Sequence, residues 1–284
     1  MNAYLLLLFG LVILLSGGEG LVRGATSLAR SFGVSPMVVG LTVVAFGTSA
    51  PELAVNAMAA IAGENEITFG NVIGSNIANI GLIVGITALV TPQVVHRSIV
   101  TRELPVMLGA TLLTVALIRD SWFGGEVEMV SRRDGVILLI AFVGFIVMTV
   151  RVALKTRDDP FMAEAEEDRP RSVARVMAFA LTVVGLVGVL LGSKWTVDGA
   201  TQVAEALGMS QAVIGLTIVA IGTSLPELTT SLFAAAKGHA DLAMGNIVGS
   251  NVFNLLFVRI PGQIIQPIQP MGVFGRRTIS TERN

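Results

Sequence analysis

Two glutamates lie inside apolar stretches of this chain, in matching surroundings. Glu52 closes the run G-T-S-A-P-E that begins at Gly47, and Glu227 closes G-T-S-L-P-E that begins at Gly222. An acidic side chain at the centre of a membrane-length apolar segment costs roughly 2.5–3.5 kcal/mol on insertion scales, so two in equivalent places point to function. Each follows a proline, which lacks an N–H and presses on the preceding turn, so carbonyls around Thr48 and Thr223 are expected to be freed from helical bonding. Open backbone at membrane depth is tolerated only under protein or beside a wet cavity. The carboxylates, the hydroxyls of Thr48, Ser49, Thr223 and Ser224, and the freed carbonyls together form an all-oxygen donor set. Such a set suits hard cations such as Ca2+ or Na+ and not zinc or copper.

A second motif, G-N-x-x-G-S-N-x-x-N, adds Asn71, Ser75, Asn76 and Asn79, and again Asn246, Ser250, Asn251 and Asn254. Residues 75 and 79 are four apart and share a helix face. Gly70 with Gly74, and Gly245 with Gly249, are small-xxx-small pairs that let helices approach closely. Packing surfaces with polar glue would account for the glycines alone. The duplicated glutamate favours ion binding.

These elements belong to a repeat. From Gly40–Ile83 to Gly215–Val258 the offset is 175 residues without a gap, and 20 of the 44 aligned positions are identical. The similarity extends upstream through Gly24/Gly199, Gly33/Gly208 and Ser35/Ser210, so the apolar N-terminus is read as a span and not a cleaved signal. With 53% hydrophobic and 14% charged residues and a mean hydropathy of +0.77, the chain lacks the roughly 25% charge of a water-soluble domain. The composition indicates an all-α polytopic membrane protein in the lipid bilayer. A net charge of −1 gives no nucleic-acid partner, and the absence of cysteine removes thiolate chemistry.

Spans are expected near 3–22, 36–62, 69–90, 103–118, 135–152, 174–192, 210–236 and 243–259. The hydrophilic 151–175 loop, with six basic and six acidic residues, reads as a linker between halves. Five crossings separate the motif copies, so equivalent segments face opposite ways, an inverted-topology repeat with a midplane site between halves. Lys and Arg in the 151–175, 23–35 (Arg23, Arg30) and 92–103 (Arg97, Arg102) loops favour an external N-terminus, while Arg119, Arg132 and Arg133 in the 119–134 loop oppose it. The expected division is a first half over 1–150 with its motif at 40–83, and a linker over 151–173. A second half follows over 174–260 with its motif at 215–258, then an atypical tail over 261–284.

The paired G-T-S-x-P-E and G-S-N-x-x-N motifs resemble the alpha repeats of the cation/calcium antiporter superfamily, in particular prokaryotic members of the sodium/calcium exchanger family. The resemblance covers roughly residues 1–258. It implies ten helices in two inverted halves of five, with four central sites shared by the second and third helix of each half. Carried over by motif position, the ligands are Thr48, Ser49, Glu52, Ser75 and Asn79, then Thr223, Ser224, Glu227, Ser250 and Asn254. It also implies that the first helix of each half slides across the core to alternate access, and that no permanent cofactor is bound. The function implied is Ca2+ export from a bacterial or archaeal cell across its cytoplasmic membrane, in exchange for Na+ or H+. Some members carry Asp where this chain has Asn254, so only Glu52 and Glu227 bring negative charge to the shell, enough to balance one Ca2+. Counterparts of the fourth and fifth spans are not recognisable after Val258, and Arg259 falls where the eighth span should still be apolar. On this reading the chain is C-terminally short, and a truncated cation-binding paralogue or a passive channel are the competing functions.

The remaining charges take bland readings. Glu64 and Glu66, matching His239 and Asp241, are expected in solvated turns. Glu19, matching Lys194, is expected to anchor at the interface, and Asp198 to be a cap or loop residue. His96 and His239 make no zinc pattern, and no phosphate or dinucleotide loop appears, so the chain is not read as an enzyme.

Overall fold

The computed structural model describes residues 2–62, 65–92, 97–118, 132–157 and 175–258. Glu64, His96, Arg119, Arg259, most of the charged linker and the 261–284 tail lie outside them, as do any counterparts of the fourth and fifth spans. The described residues form helices and no strand. In chain order these are α1 (Ala3–Phe32), α2 (Pro36–Thr48), α3 (Ala50–Ala62), α4 (65–90), α5 (Ile99–Ile118), α6 (Arg132–Arg157), α7 (Arg175–Ala206), α8 (211–222), α9 (Leu225–Ala236) and α10 (240–258).

The duplication is visible in the backbone itself. A π-helical turn occupies Gly40–Val44 in α2 and Gly215–Val219 in α8, and another occupies Ala78–Ile83 in α4 and Asn254–Val258 in α10. Such turns are rare and gather at functional sites. Both α1 and α7 end on a glycine in the left-handed region, Gly33 at φ 63° and Gly208 at φ 79°, conformations that L side chains avoid.

Helices α1 and α7 pack antiparallel along a glycine seam. Gly10 lies against Thr196, Gly17 against Val189 and Gly24 against Thr182, while Gly185 meets Leu21, Gly192 meets Leu14 and Gly199 meets Leu7. As one number rises by seven, its partner falls by seven. Adding 175 to one member of each pair and subtracting it from the other turns the first three contacts into the last three. Repeat-equivalent helices therefore oppose each other in direction, as an inverted repeat requires. A seam of small residues supplies the close backbone approach on which helix association in lipid depends.

The apolar core has two parts. Where α1 and α7 lie on α2, α9 and α10, Leu21, Val22, Val44, Val189 and Leu242 are fully buried. Where α2, α4, α5 and α6 surround α10, Leu41, Val72, Ile99, Leu138 and Val252 fill the interior. Helix α10 is buried along nearly its whole length, whereas α1 turns Leu5, Leu8, Phe9 and Val12 outward, as lipid-facing side chains should be.

Several sequence expectations are corrected. Helix α1 does not stop near residue 22; no proline precedes Gly33 and its glycines are carried within the helix, so Arg23 and Arg30 are helical and not in a loop. Arg97 likewise lies in helical backbone just before α5, and Arg102 in the first turn of α5. Helix α7 continues past residue 192 to Ala206, which places Asp198 within a helix, paired at 2.5 Å with Lys194 one turn earlier. Glu19 does more than anchor: its Oε1 takes Arg23 at 2.6 Å and Lys237, beyond α9, at 2.8 Å. Of the eight expected spans, five described helices are long and apolar enough to cross a membrane, or six with the bent pair α2–α3 as one, by length and composition. The remaining expected spans, α8–α9 and α10, are helical, and the polar Asn246, Ser250, Asn251 and Asn254 of α10 are buried.

A methyl group at Gly17 would stand 2.5 Å from the Val189 nitrogen, whereas one at Gly144 in α6 meets nothing within 4 Å. Gly17→Ala is expected to lower stability by about 1–3 kcal/mol through overpacking, and Gly144→Ala to cause no loss. Thermal unfolding in detergent compares the two.

Candidate functional site

Both G-T-S-x-P-E runs break a helix. Proline removes the donor that would continue the ladder, and the backbone leaves helical geometry at Ser49 (φ −81°, ψ 8°) and Ser224 (φ −91°, ψ 4°). In the first half the axes of α2 and α3 bend by 44°. The break gives α3 and α9 their own N-termini at membrane depth, and Glu52 and Glu227 lie in those first turns. The positive end of a helix dipole is a favourable place for a carboxylate. The carbonyl that Pro226 cannot bond is that of Gly222, and it accepts the Ser193 hydroxyl of α7 at 3.0 Å.

The fold brings the two halves together at these carboxylates. Glu52 and Glu227 are each 1% exposed. Ser49 of the first half donates to Glu227 Oε1 at 3.0 Å. The Thr48 hydroxyl bonds Asn246 Oδ1 at 3.1 Å and lies 3.5 Å from Ser250 Oγ. Asn246 in turn donates to Ser231 Oγ at 3.0 Å and to the Glu227 carbonyl at 3.5 Å. Ser75, Asn79, Ser224 and Asn254 are buried in the same interior.

Charge and hydrogen bonding are left unbalanced. Among the described residues no lysine or arginine is buried, and one oxygen of each carboxylate has no partner. Asn79 Oδ1, Ser224 Oγ and Asn254 Oδ1 are also buried and unpartnered. Buried polar atoms normally find partners, and each orphan costs free energy. A cluster of orphaned oxygens around two anionic groups fits a hard cation. Among the described residues no group of three or more His, Asp or Glu is assembled, so the donor set is only weakly charged. That suits an ion that must also leave.

Of the ten expected ligands, nine are buried and one is not. Thr223 is partly exposed, and its hydroxyl bonds the Ala220 carbonyl of its own helix at 3.3 Å. Its equivalent Thr48 is fully buried and bridges the halves. Sequence reasoning gave no role to Asn246 beyond its motif, and overlooked Asn56 and Ser231. The latter two follow the glutamates by four residues, on the same helix face, and bond Asn71 and Asn246 respectively at 3.0 Å. The Gly238–Asp241 turn borders a cavity of about 330 Å³ with Pro36, Thr91 and Pro92. There burial, Arg30 and Lys237 hold the His239 imidazole below its ordinary value.

Comparison with known proteins bears on the family and the fold. Residues 2–151 and 177–259 match the family model described as sodium/calcium exchanger protein. The putative antiporter CaxA of Alkalimonas amylolytica is 42% identical over 266 residues, spanning 93% of this chain and 81% of that protein. The sodium/calcium exchanger MaX1 of Methanosarcina acetivorans is 34% identical over 282 residues, spanning 90% and 81%. The solved sodium-calcium exchanger NCX_Mj, soaked with 2.5 mM Na+ and 0.1 mM Ca2+, superposes with a TM-score of 0.79 at 35% identity, covering 96% of this chain and 85% of its own.

The inequality of the two threonines is measurable. Thr48→Val leaves Asn246 Oδ1 buried without its donor and is expected to cost about 1–3 kcal/mol of stability. Thr223→Val removes a bond made only within its own helix and should stay within about 0.5 kcal/mol. Chemical unfolding in detergent without added divalent cations reads both.

Proposed function

The chain belongs to the sodium/calcium exchanger family, and on that premise we propose that it exports Ca2+ in exchange for Na+ by alternating access. One observation carries the reading. Two repeat-equivalent carboxylates, each in the first turn of a half-helix, are buried and linked through Ser49, and hydroxyl and amide oxygens of Asn79, Ser224 and Asn254 are buried without partners. The ligands proposed are Glu52 and Glu227 for charge, with Thr48, Ser49, Ser75, Asn79, Thr223, Ser224, Ser250 and Asn254 completing the oxygen shell. The relatives' names, an antiporter and a sodium/calcium exchanger, support cation exchange.

The two carboxylates offset one Ca2+ or two Na+, so either cargo neutralises the site, and an empty site leaves two charges in an apolar interior. Desolvation therefore opposes any crossing of the unloaded form, which is what obligatory exchange requires. The halves proposed are 1–150 and 174–260, joined by the 151–173 linker, with the N-terminus outside and the linker inside the cytoplasmic membrane.

Uptake of radiolabelled Ca2+ into proteoliposomes loaded with Na+ tests the proposal. Uptake is expected to require internal Na+ and to vanish in Glu52→Gln and Glu227→Gln. Uptake driven equally by a pH gradient without Na+ would replace Na+ with H+ as the coupling ion. Uptake that follows only the Ca2+ gradient would mark a channel. Thermal stabilisation by Ca2+, which grows with the logarithm of its concentration above Kd, should also disappear in Glu52→Gln.

A further inference from the structure

We propose that Asn76 and Asn251, which are not among the ligands, are positioning residues. Each ties down the amide N–H of the other half's ligand asparagine so that its carbonyl oxygen faces the ion, Asn76 acting on Asn254 and Asn251 on Asn79. The proposal rests on the ligand assignment above.

An asparagine in a cation shell carries an ambiguity that a carboxylate does not. Its amide has one oxygen and one NH2 of nearly the same shape, and only the oxygen can ligate. Something must hold the NH2 away from the ion. Asn254 is fully buried, its Nδ2 donates to Asn76 Oδ1 at 3.3 Å, and its Oδ1 has no partner. The orientation of Asn76 is fixed in turn, because its own Nδ2 donates to the Asn251 backbone carbonyl at 3.4 Å. That carbonyl can only accept, so the NH2 of Asn76 must point to it and the oxygen must point to Asn254.

Asn76 and Asn251 are repeat equivalents, 175 residues apart, and they touch across the interface of the halves. Exchanging the halves converts the two observed bonds into two others: Asn251 Nδ2 to the Asn76 carbonyl, and Asn79 Nδ2 to Asn251 Oδ1. Neither is made. Five side-chain atoms of these four asparagines are left buried and unpartnered, and Asn251 Nδ2, Asn251 Oδ1 and Asn79 Nδ2 are the ones the exchanged bonds would use. The other two are Asn254 Oδ1 and Asn79 Oδ1, the oxygens that the observed and the exchanged bonds turn to the ion. The asparagines thus have two equivalent arrangements, and the structure displays the one in which Asn254 is oriented and Asn79 is not.

A double substitution separates positioning from mere packing. Aspartate has two oxygens and no N–H, so at position 254 it needs no orientation. Asn76→Ala is expected to raise the half-saturating Ca2+ concentration roughly tenfold in the otherwise native protein, the scale of one hydrogen bond to a site group. In an Asn254→Asp background the same change should cost less than about twofold. Ca2+ titration by calorimetry in detergent, with Na+ competition, reads both. Asn76→Ser, polar but too short to reach Asn254, carries the same expectation should the alanine variant not fold. An equal loss in both backgrounds, or none in the native one, overturns the proposal, while Ca2+ binding that still vanishes in Glu52→Gln leaves the site reading standing. Ca2+ binding that survives in Glu52→Gln overturns the site reading itself.

Discussion

Two carboxylates buried together with no buried lysine or arginine among the described residues set the terms for the rest of this molecule. In an apolar slab such a pair is costly, and the fold answers with what the backbone and short polar side chains can give. Broken helices turn their N-termini toward Glu52 and Glu227. The Ser49 hydroxyl of the opposite half reaches the Glu227 carboxylate. What remains unbalanced is left to the ion. The site is incomplete by itself, and that incompleteness gives a cation reason to enter and the empty site reason not to cross.

Everything that brings the halves together serves this arrangement. The Met37–Leu41 stretch of α2 packs backbone against backbone on Gly245 and Gly249 of α10, where an added methyl at Gly245 would stand 2.5 Å from the Met37 carbonyl. This approach carries Thr48 to Asn246 across 198 residues of sequence. The equivalent seam in the other half is open: Gly70, Gly74 and Gly215 meet nothing within 4 Å, and Thr223 is turned to its own helix. The protein is built from two copies but does not hold them in the same arrangement.

Much of this was legible in the sequence. The repeat, the buried glutamates and the helix breaks are local patterns written twice, and repetition lifts them above apolar background. What escaped reading depends on distance or on context. Arg23 and Arg30 looked like loop residues because charge ordinarily marks a loop, yet they ride a helix that runs beyond the apolar stretch until Gly33 stops it. Asp198 looked like a cap because its partner Lys194 is recognisable only once the helix is known to continue. Thr48 and Thr223 are identical in motif and differ only in what the other half presents to them. Asn246 and Asn76 act through bonds to the opposite half, and no spacing within one sequence announces such bonds.

The glycine seam between α1 and α7 has a mechanical consequence. Six notches, three cut in each helix at intervals of seven, set the two backbones into one another. Helices joined this way are not two rods that can slip past each other but a single beam. A load placed on one end of the beam arrives at the other, where repeat-equivalent positions carry the opposite charge: Arg23 and Arg30 of α1 correspond to Asp198 and Glu205 of α7. A displacement that uncovers one end therefore covers the other by stiffness alone, with no messenger between them.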